Sequence, residues 1–179
     1  TEAVRDLLNN RDGLMLGICN GFQALIKLGL VPYGDIVPMT AECPTLTFNT
    51  IGRHQSRLVR TRVASNFSPW LAKTEVGDMH TIAISHGEGR FVASDDMLAQ
   101  LKANGQIATQ YVDEAGVPGM DLSVNPNGSL LAIEGITSPD GRVFGKMGHS
   151  ERYSNGTFKN VPGEKDQPLF AAGVEYFAA

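Results

Sequence analysis

Near the start of the chain, Val4, Leu7 and Leu8 fall at i, i+3 and i+4 and are followed by Asn9, Asn10 and Gly13. This spacing predicts a short helix with a defined stop. Residues 14–19, Leu-Met-Leu-Gly-Ile-Cys, form a continuous apolar run of strand length. Such a run fits a strand covered on both faces. Asn20-Gly21 is a turn signal, after which Phe22, Leu25, Ile26 and Leu28 return to helical spacing, with Gly29 as the C-cap. Residues 30–44 carry three prolines and read as loop. Strands are predicted over 46–50, 57–64, 81–85, 107–112, 130–135 and 143–147. The second alternates Leu58, Arg60, Arg62 with Val59, Thr61, Val63, so one of its faces is wet. Ser94 caps a helix carrying Met97, Leu98 and Leu101, which Asn104-Gly105 stops. The succession predicts one α/β domain over 1–179, with early parallel elements and an inserted set of short antiparallel strands.

Composition narrows the function classes. Lys+Arg number 15 and Asp+Glu 19, a net charge of −4, which does not suit a dedicated nucleic-acid binder. No apolar run approaches the roughly 18 residues of a membrane span, and the first ten residues do not read as a signal peptide. A cytoplasmic location with two free thiols, Cys19 and Cys43, is the expectation. The sequons at Asn66, Asn127 and Asn155 are then chance matches. Two cysteines and four histidines are too dispersed for a zinc pattern, so no metal is expected.

The chemistry concentrates at Cys19. A strand, a glycine-flanked turn and a helix start place it as a nucleophile elbow with Cys for Ser. The helix N-terminus favours a thiolate there. The other reading is a buried structural cysteine ending a core strand. A thiol nucleophile needs an imidazole, and the imidazole needs an acceptor to orient it. His149 has Glu151 two residues on, and His86 has Glu88 at the same spacing; position alone leaves both pairs open. Arg53, Arg57, Arg60 and Arg62 form a basic stripe, read as a solvated strand face or an interface. Cys43 lacks a nearby base, and Trp70 reads as a satellite core or interdomain contact.

Three strings carry a resemblance: Gly-Ile-Cys-Asn-Gly-Phe-Gln at 17–23, Ile-Ser-His-Gly-Glu-Gly-Arg-Phe at 84–91 and Gly-Lys-Met-Gly-His-Ser-Glu-Arg at 145–152. Together they resemble the class I (triad) glutamine amidotransferases across essentially the whole chain. The resemblance implies a flavodoxin-like α/β fold: a central, mostly parallel sheet with flanking helices and an additional small strand set. It implies Cys19 as nucleophile, His149 as proton carrier, Glu151 as its orienting group, and the backbone N–H of Asn20 as one half of the oxyanion hole. Gln23 and Gly21 would line the glutamine site, while His86 and Glu88 would be structural or face another domain. Ammonia would pass to a synthase domain of the same polypeptide, where ATP and Mg serve the conversion of formylglycinamide ribonucleotide to its amidine in purine biosynthesis. No cofactor is implied in the glutaminase part. The family's domain opens with an earlier strand and a Gly-rich loop, which would precede Thr1 and donate the other oxyanion N–H. The chain alone is therefore expected to be weakly active or inactive. The alternatives are another triad amidotransferase, a cysteine hydrolase, or a non-catalytic α/β regulatory domain.

Overall fold

The computed structural model of the chain describes residues 1–154 and 156–178; the sequon residue Asn155 and Ala179 lie outside the described residues. Helix α1 (Glu2–Asn9) leads into β1 (Met15–Ile18), α2 (Asn20–Leu28) and the single turn α3 (Leu30–Tyr33). β2 (Thr45–Thr47), β3 (Gln55–Val63), β4 (Met79–His86) and β5 (Arg90–Val92) follow. Helix α4 (Asp95–Ala103) precedes β6 (Ile107–Tyr111), β7 (Ile133–Thr137) and β8 (Val143–Lys146), and α5 (Leu169–Tyr176) ends the order. Ser94 caps α4 by accepting from the Met97 N–H.

The six-stranded sheet runs β1-β8-β7-β6-β3-β4. Only β1 and β8 pair in parallel; the β8–β7, β7–β6, β6–β3 and β3–β4 pairs are antiparallel. The sheet is therefore mixed and mostly antiparallel, which corrects the expectation of a mostly parallel, flavodoxin-like sheet. The physical reason lies in the connections. A parallel pair needs a crossover of a dozen or more residues, usually helical. The link between β7 and β8 is only residues 138–142, and β3–β4 and β6–β7 are joined without an α-helix. β2 and β5 form a separate two-stranded antiparallel sheet.

The sheet also curls. β8 lies next to one edge and β4 forms the other, yet His149, three residues past β8, makes an antiparallel bridge to Ala83 in β4. Bending of this kind turns the sheet into a half-barrel and brings its two ends together. Helix α2 buries Phe22, Leu25 and Ile26 in a core shared with Ile133, Ile136 and Val143 of β7 and β8. At about 25 cal/mol per Å² of apolar surface, three such side chains hold the helix far more firmly than its propensity does. Among the described residues, no helix is long and apolar enough to cross a membrane. Asn127 is fully buried and donates to the Gly89 carbonyl, so that sequon is structural.

Candidate active site

Cys19 stands between β1 and α2 with φ 54° and ψ −105°, in the left-handed half of φ space that β-carbon-bearing residues rarely adopt. The strain is held from both sides. The Cys19 N–H donates to the Lys146 carbonyl at 2.8 Å, continuing the β1–β8 pairing, and its carbonyl accepts the Gln23 N–H at 3.1 Å, starting the helix. Gly17 makes the turn possible: a β-carbon there would lie 2.6 Å from the Gly21 carbonyl carbon and 2.5 Å from Leu25 Cδ1. At Gly21 a β-carbon would meet no atom within 4 Å, so crowding explains the first glycine and not the second.

Cys19 is 8% exposed, and its thiol donates to the Ser85 carbonyl of β4 at 3.7 Å. Burial pushes the Cys19 thiol up, opposed by the Asn20 backbone N–H and the Arg152 charge, while Glu151 adds to the rise. The net direction is opposite to the thiolate expected from the helix N-terminus. In this arrangement the thiol keeps its proton until a base removes it.

His149 is anchored to the same strand edge. Its N–H donates to the Ala83 carbonyl at 2.8 Å, two residues before the carbonyl that Cys19 Sγ meets. Carbonyls at i and i+2 of a strand point the same way and lie about 7 Å apart. The edge of β4 thus anchors both the thiol of Cys19 and the backbone that bears the His149 imidazole. His149 Nδ1 lies 2.5 Å from Glu151 Oε1. An ionised carboxylate only accepts, so Nδ1 carries the hydrogen and Nε2 keeps its lone pair. Nε2 is buried with no hydrogen-bond partner among the described residues. Arg152 Nε stands 3.9 Å from the same Glu151 oxygen.

The rival pair separates. His86 is buried, and its Nδ1 faces Asn49 Oδ1 at 3.3 Å, not Glu88. Burial takes its imidazole down to about 4, so it is neutral at physiological pH. Asn49 also receives the Gly89 N–H and donates to the His86 carbonyl, which fixes the loop at 87–89. Gln23 Nε2 donates to the Glu88 carbonyl at 2.6 Å, tying that loop to α2. The structure therefore gathers Cys19, Asn20, Gln23, His149 and Glu151 around one end of β4, with His86 as a buried support and the Glu88 side chain turned to solvent.

Other residues surround the site: His54, which with His80 the sequence also offers as a candidate imidazole, and the Lys146–Glu134 pair, which it does not single out. His54 Nε2 lies 3.1 Å from Ser85 Oγ, beside the carbonyl that meets Cys19. Lys146 and Glu134 form an ion pair at 3.4 Å with both side chains fully buried. A lone charge inside each of two otherwise apolar strands was the available signal, since buried charges are paired. The basic stripe is spent on scaffold: Arg60 pairs with Glu114, and Arg57 donates to the Ser123 carbonyl. Trp70 donates to the Arg142 carbonyl and lies against Gly173 of α5. Two grooves, of 490 and 470 Å³, lie on other faces, lined by residues such as Lys102 and Gln110 or Arg57 and Asp113. No cluster of three or more His, Cys, Asp and Glu side chains suited to a metal occurs among the described residues.

Residues 1–177 match the family described as the CobB/CobQ-like glutamine amidotransferase domain. The phosphoribosylformylglycinamidine synthase subunit PurQ of Aquifex aeolicus is 39% identical over 140 residues, covering 78% of this chain and 56% of that protein. The same subunit of Synechococcus elongatus is 37% identical over 170 residues, covering 93% of this chain and 64% of the relative. Among solved structures, that of PurLQS from Thermotoga maritima superposes with a TM-score of 0.67 at 30% identity, covering 93% of this chain and 63% of that one. The chain thus spans less than two thirds of the length of these relatives. The chain belongs to the CobB/CobQ-like glutamine amidotransferase domain family, and within it is similar to PurQ.

Proposed function

We propose that the chain is the glutaminase part of phosphoribosylformylglycinamidine synthase, which supplies ammonia for converting formylglycinamide ribonucleotide to its amidine. The observation that carries this reading is the pairing of His149 Nδ1 with Glu151, which leaves a buried, unpartnered Nε2 on the strand edge that also receives the Cys19 thiol. The likeness to PurQ subunits supports the substrate and the destination of the ammonia.

In the proposed reaction His149 Nε2 takes the Cys19 proton as Sγ attacks the side-chain amide carbon of glutamine. Glu151 stabilises the imidazolium that forms. The carbonyl oxygen becomes an oxyanion facing the Asn20 N–H. The intermediate collapses with cleavage of the C–N bond, and His149 returns the proton to the nitrogen, releasing ammonia and leaving a glutamyl thioester. Water then attacks the thioester, His149 removes its proton, and glutamate leaves as the thiol is restored. Gln23 and the open space over Gly21 serve the glutamine site. The synthase partner supplies the ATP chemistry, and no glutaminase step runs through it. The assembly named PurLQS in Thermotoga maritima supports a synthase partner.

The test is Cys19→Ala in the complete protein. Glutamine-dependent amidine formation is expected to vanish, while formation from added ammonium salt persists. Retention of glutamine-dependent synthesis would overturn the reading.

A further inference from the structure

The Lys146–Glu134 pair touches neither the thiol nor the imidazole, yet it holds the backbone on both sides of His149. Lys146 ends β8 and Glu134 lies in β7. Lys146 Nζ donates to the Gly148 carbonyl at 2.8 Å and to Ser150 Oγ at 2.9 Å, and faces Glu134 Oε1 at 3.4 Å. Its three N–H directions are therefore all used. Glu134 Oε1 accepts the Gly148 N–H at 2.5 Å, and Oε2 accepts from Thr109 Oγ1. Both polar backbone groups of Gly148 end on the pair, one on each charge. Ser150, on the far side of His149, is fixed between Lys146 and Gln167 Oε1 at 2.6 Å. Gly148 has room for nothing larger: a β-carbon there would lie 2.1 Å from Ile82 Cδ1 and 2.9 Å from Glu134 Oε1.

The same residue reaches the nucleophile through its main chain, because the Lys146 carbonyl accepts the Cys19 N–H. One residue thus fixes the elbow with its backbone and the base-bearing turn with its side chain. Two full charges in an apolar core are expensive to bury, and a hydrophobic pair of similar volume is often no less stable. Stability alone is therefore a weak reason for this pair.

We propose that Lys146 and Glu134 are positioning residues for the glutaminase reaction, acting together as a buried ionic clamp that sets the His149 imidazole against the Cys19 thiol. This deepens the glutaminase reading and rests on it for the substrate. The side-chain hydrogen bonds of the clamp go to the turn that bears His149 and to Thr109, and none goes to Gln23 or Gly21. It acts on transition-state geometry more than on glutamine binding. A misplacement of about 1 Å at a base can lower rates by roughly a hundredfold.

The experiment uses the complete protein with its synthase partner. A single replacement leaves one buried charge unpaired and endangers folding. The informative variant is therefore the double replacement Lys146→Met with Glu134→Gln, which removes both charges together. Ser150→Ala, which deletes one clamp contact without stranding a charge, is the milder companion should the double variant fail to fold. Two readouts are taken. One is the steady-state kinetics of glutamine hydrolysis. The other is the rate of Cys19 alkylation by iodoacetamide against pH, which needs no glutamine and reports the coupling of the thiol to His149. Ammonia-supported amidine formation checks that the assembly is intact.

In the folded double variant kcat is expected to fall about ten- to a hundredfold, with KM for glutamine within about threefold of wild type. The pH profile of Cys19 alkylation is expected to shift toward that of a His149→Ala variant. Ser150→Ala is expected to move both in the same direction by less. Unchanged kcat and an unchanged alkylation profile in a folded variant would overturn the clamp and leave the glutaminase reading standing. An alkylation profile that shifts in the variant, in a protein that hydrolyses no glutamine, would uphold the clamp as a positioning device and overturn the glutaminase reading.

Discussion

Glu151 Oε1 lies 2.5 Å from His149 Nδ1, and this contact decides which imidazole nitrogen can act as a base. Replacing Glu151 by Gln keeps the volume but offers the ring an ambiguous partner, so the wrong tautomer becomes accessible. Glutamine-dependent turnover is expected to fall about a thousandfold or more, as when an orienting carboxylate is lost from a comparable triad. Steady-state kinetics with glutamine, set beside ammonia-supported synthesis, checks this. A loss below about tenfold would mean that the carboxylate is not orienting the base.

Gly17 and Gly21 flank the same cysteine and are expected to respond differently to alanine. A β-carbon at Gly17 meets α2 backbone at 2.6 Å, so Gly17→Ala must displace the elbow. A loss of about 1–3 kcal/mol of stability and of specific Cys19 labelling is expected. Gly21→Ala meets no atom within 4 Å and should leave stability within about 0.5 kcal/mol of wild type. Its effect should appear as a raised KM for glutamine. Denaturant titration and glutamine kinetics on both variants separate the two roles.

Gln23 ties α2 to the Glu88 carbonyl at 2.6 Å, which closes the loop at 87–89 against the elbow. Gln23→Ala is expected to raise KM for glutamine about tenfold, a loss of ground-state binding of roughly 1.4 kcal/mol. Cys19 should still react with iodoacetamide at the wild-type rate. A change in that rate with KM unmoved would assign Gln23 to the thiol instead of the substrate.

His86 gives the fold a pH dependence of fixed sign. Burial takes its pKa from 6.5 to about 4 in the folded chain. Between these values the unfolded chain binds a proton that the folded chain refuses, so stability is full above about pH 6.5 and falls as pH drops toward 4. The gap corresponds to about 3 kcal/mol. His80 is shifted in the same direction by its burial, so the comparison must be with a variant at one site. Urea titrations of the 179-residue chain and of His86→Gln, across pH 7 to about 4.5, are expected to show a shallower acid decline in the variant. Parallel declines would contradict the assignment.

The elbow was legible because its information is local. An apolar run, a turn dipeptide and a helical face adjoin in sequence at residues 14–28, and β1 and α2 form there. The His149–Glu151 pair was half legible. Its spacing was equal to that of His86–Glu88, and only the curl of the sheet decides between them by bringing His149 to Ala83. The mostly parallel sheet that the family resemblance implies does not form, because strand direction depends on how the chain returns and the 138–142 connection is too short for the crossover a parallel pair needs. β5 was lost in the Gly-rich string at 86–90, whose pairing with β2 is set by residues some forty positions away. Helix α5 buries Leu169 and Ala172 but exposes Phe170 and Val174, so its apolar residues do not form the single core-facing stripe by which a helix is read from sequence. Lys146 and Glu134 each stand out as a lone charge in a largely apolar strand, but the antiparallel pairing of β7 with β8 that sets the two charges face to face is a property of the fold.

The most direct measurement is peptide mass spectrometry of the complete protein after incubation with an electrophilic glutamine analogue, with and without excess glutamine. A single covalent adduct on Cys19, suppressed by glutamine and absent from Cys43, is the expected result. An adduct elsewhere, or labelling of Cys19 that glutamine does not suppress, would contradict Cys19 as the nucleophile of a glutaminase.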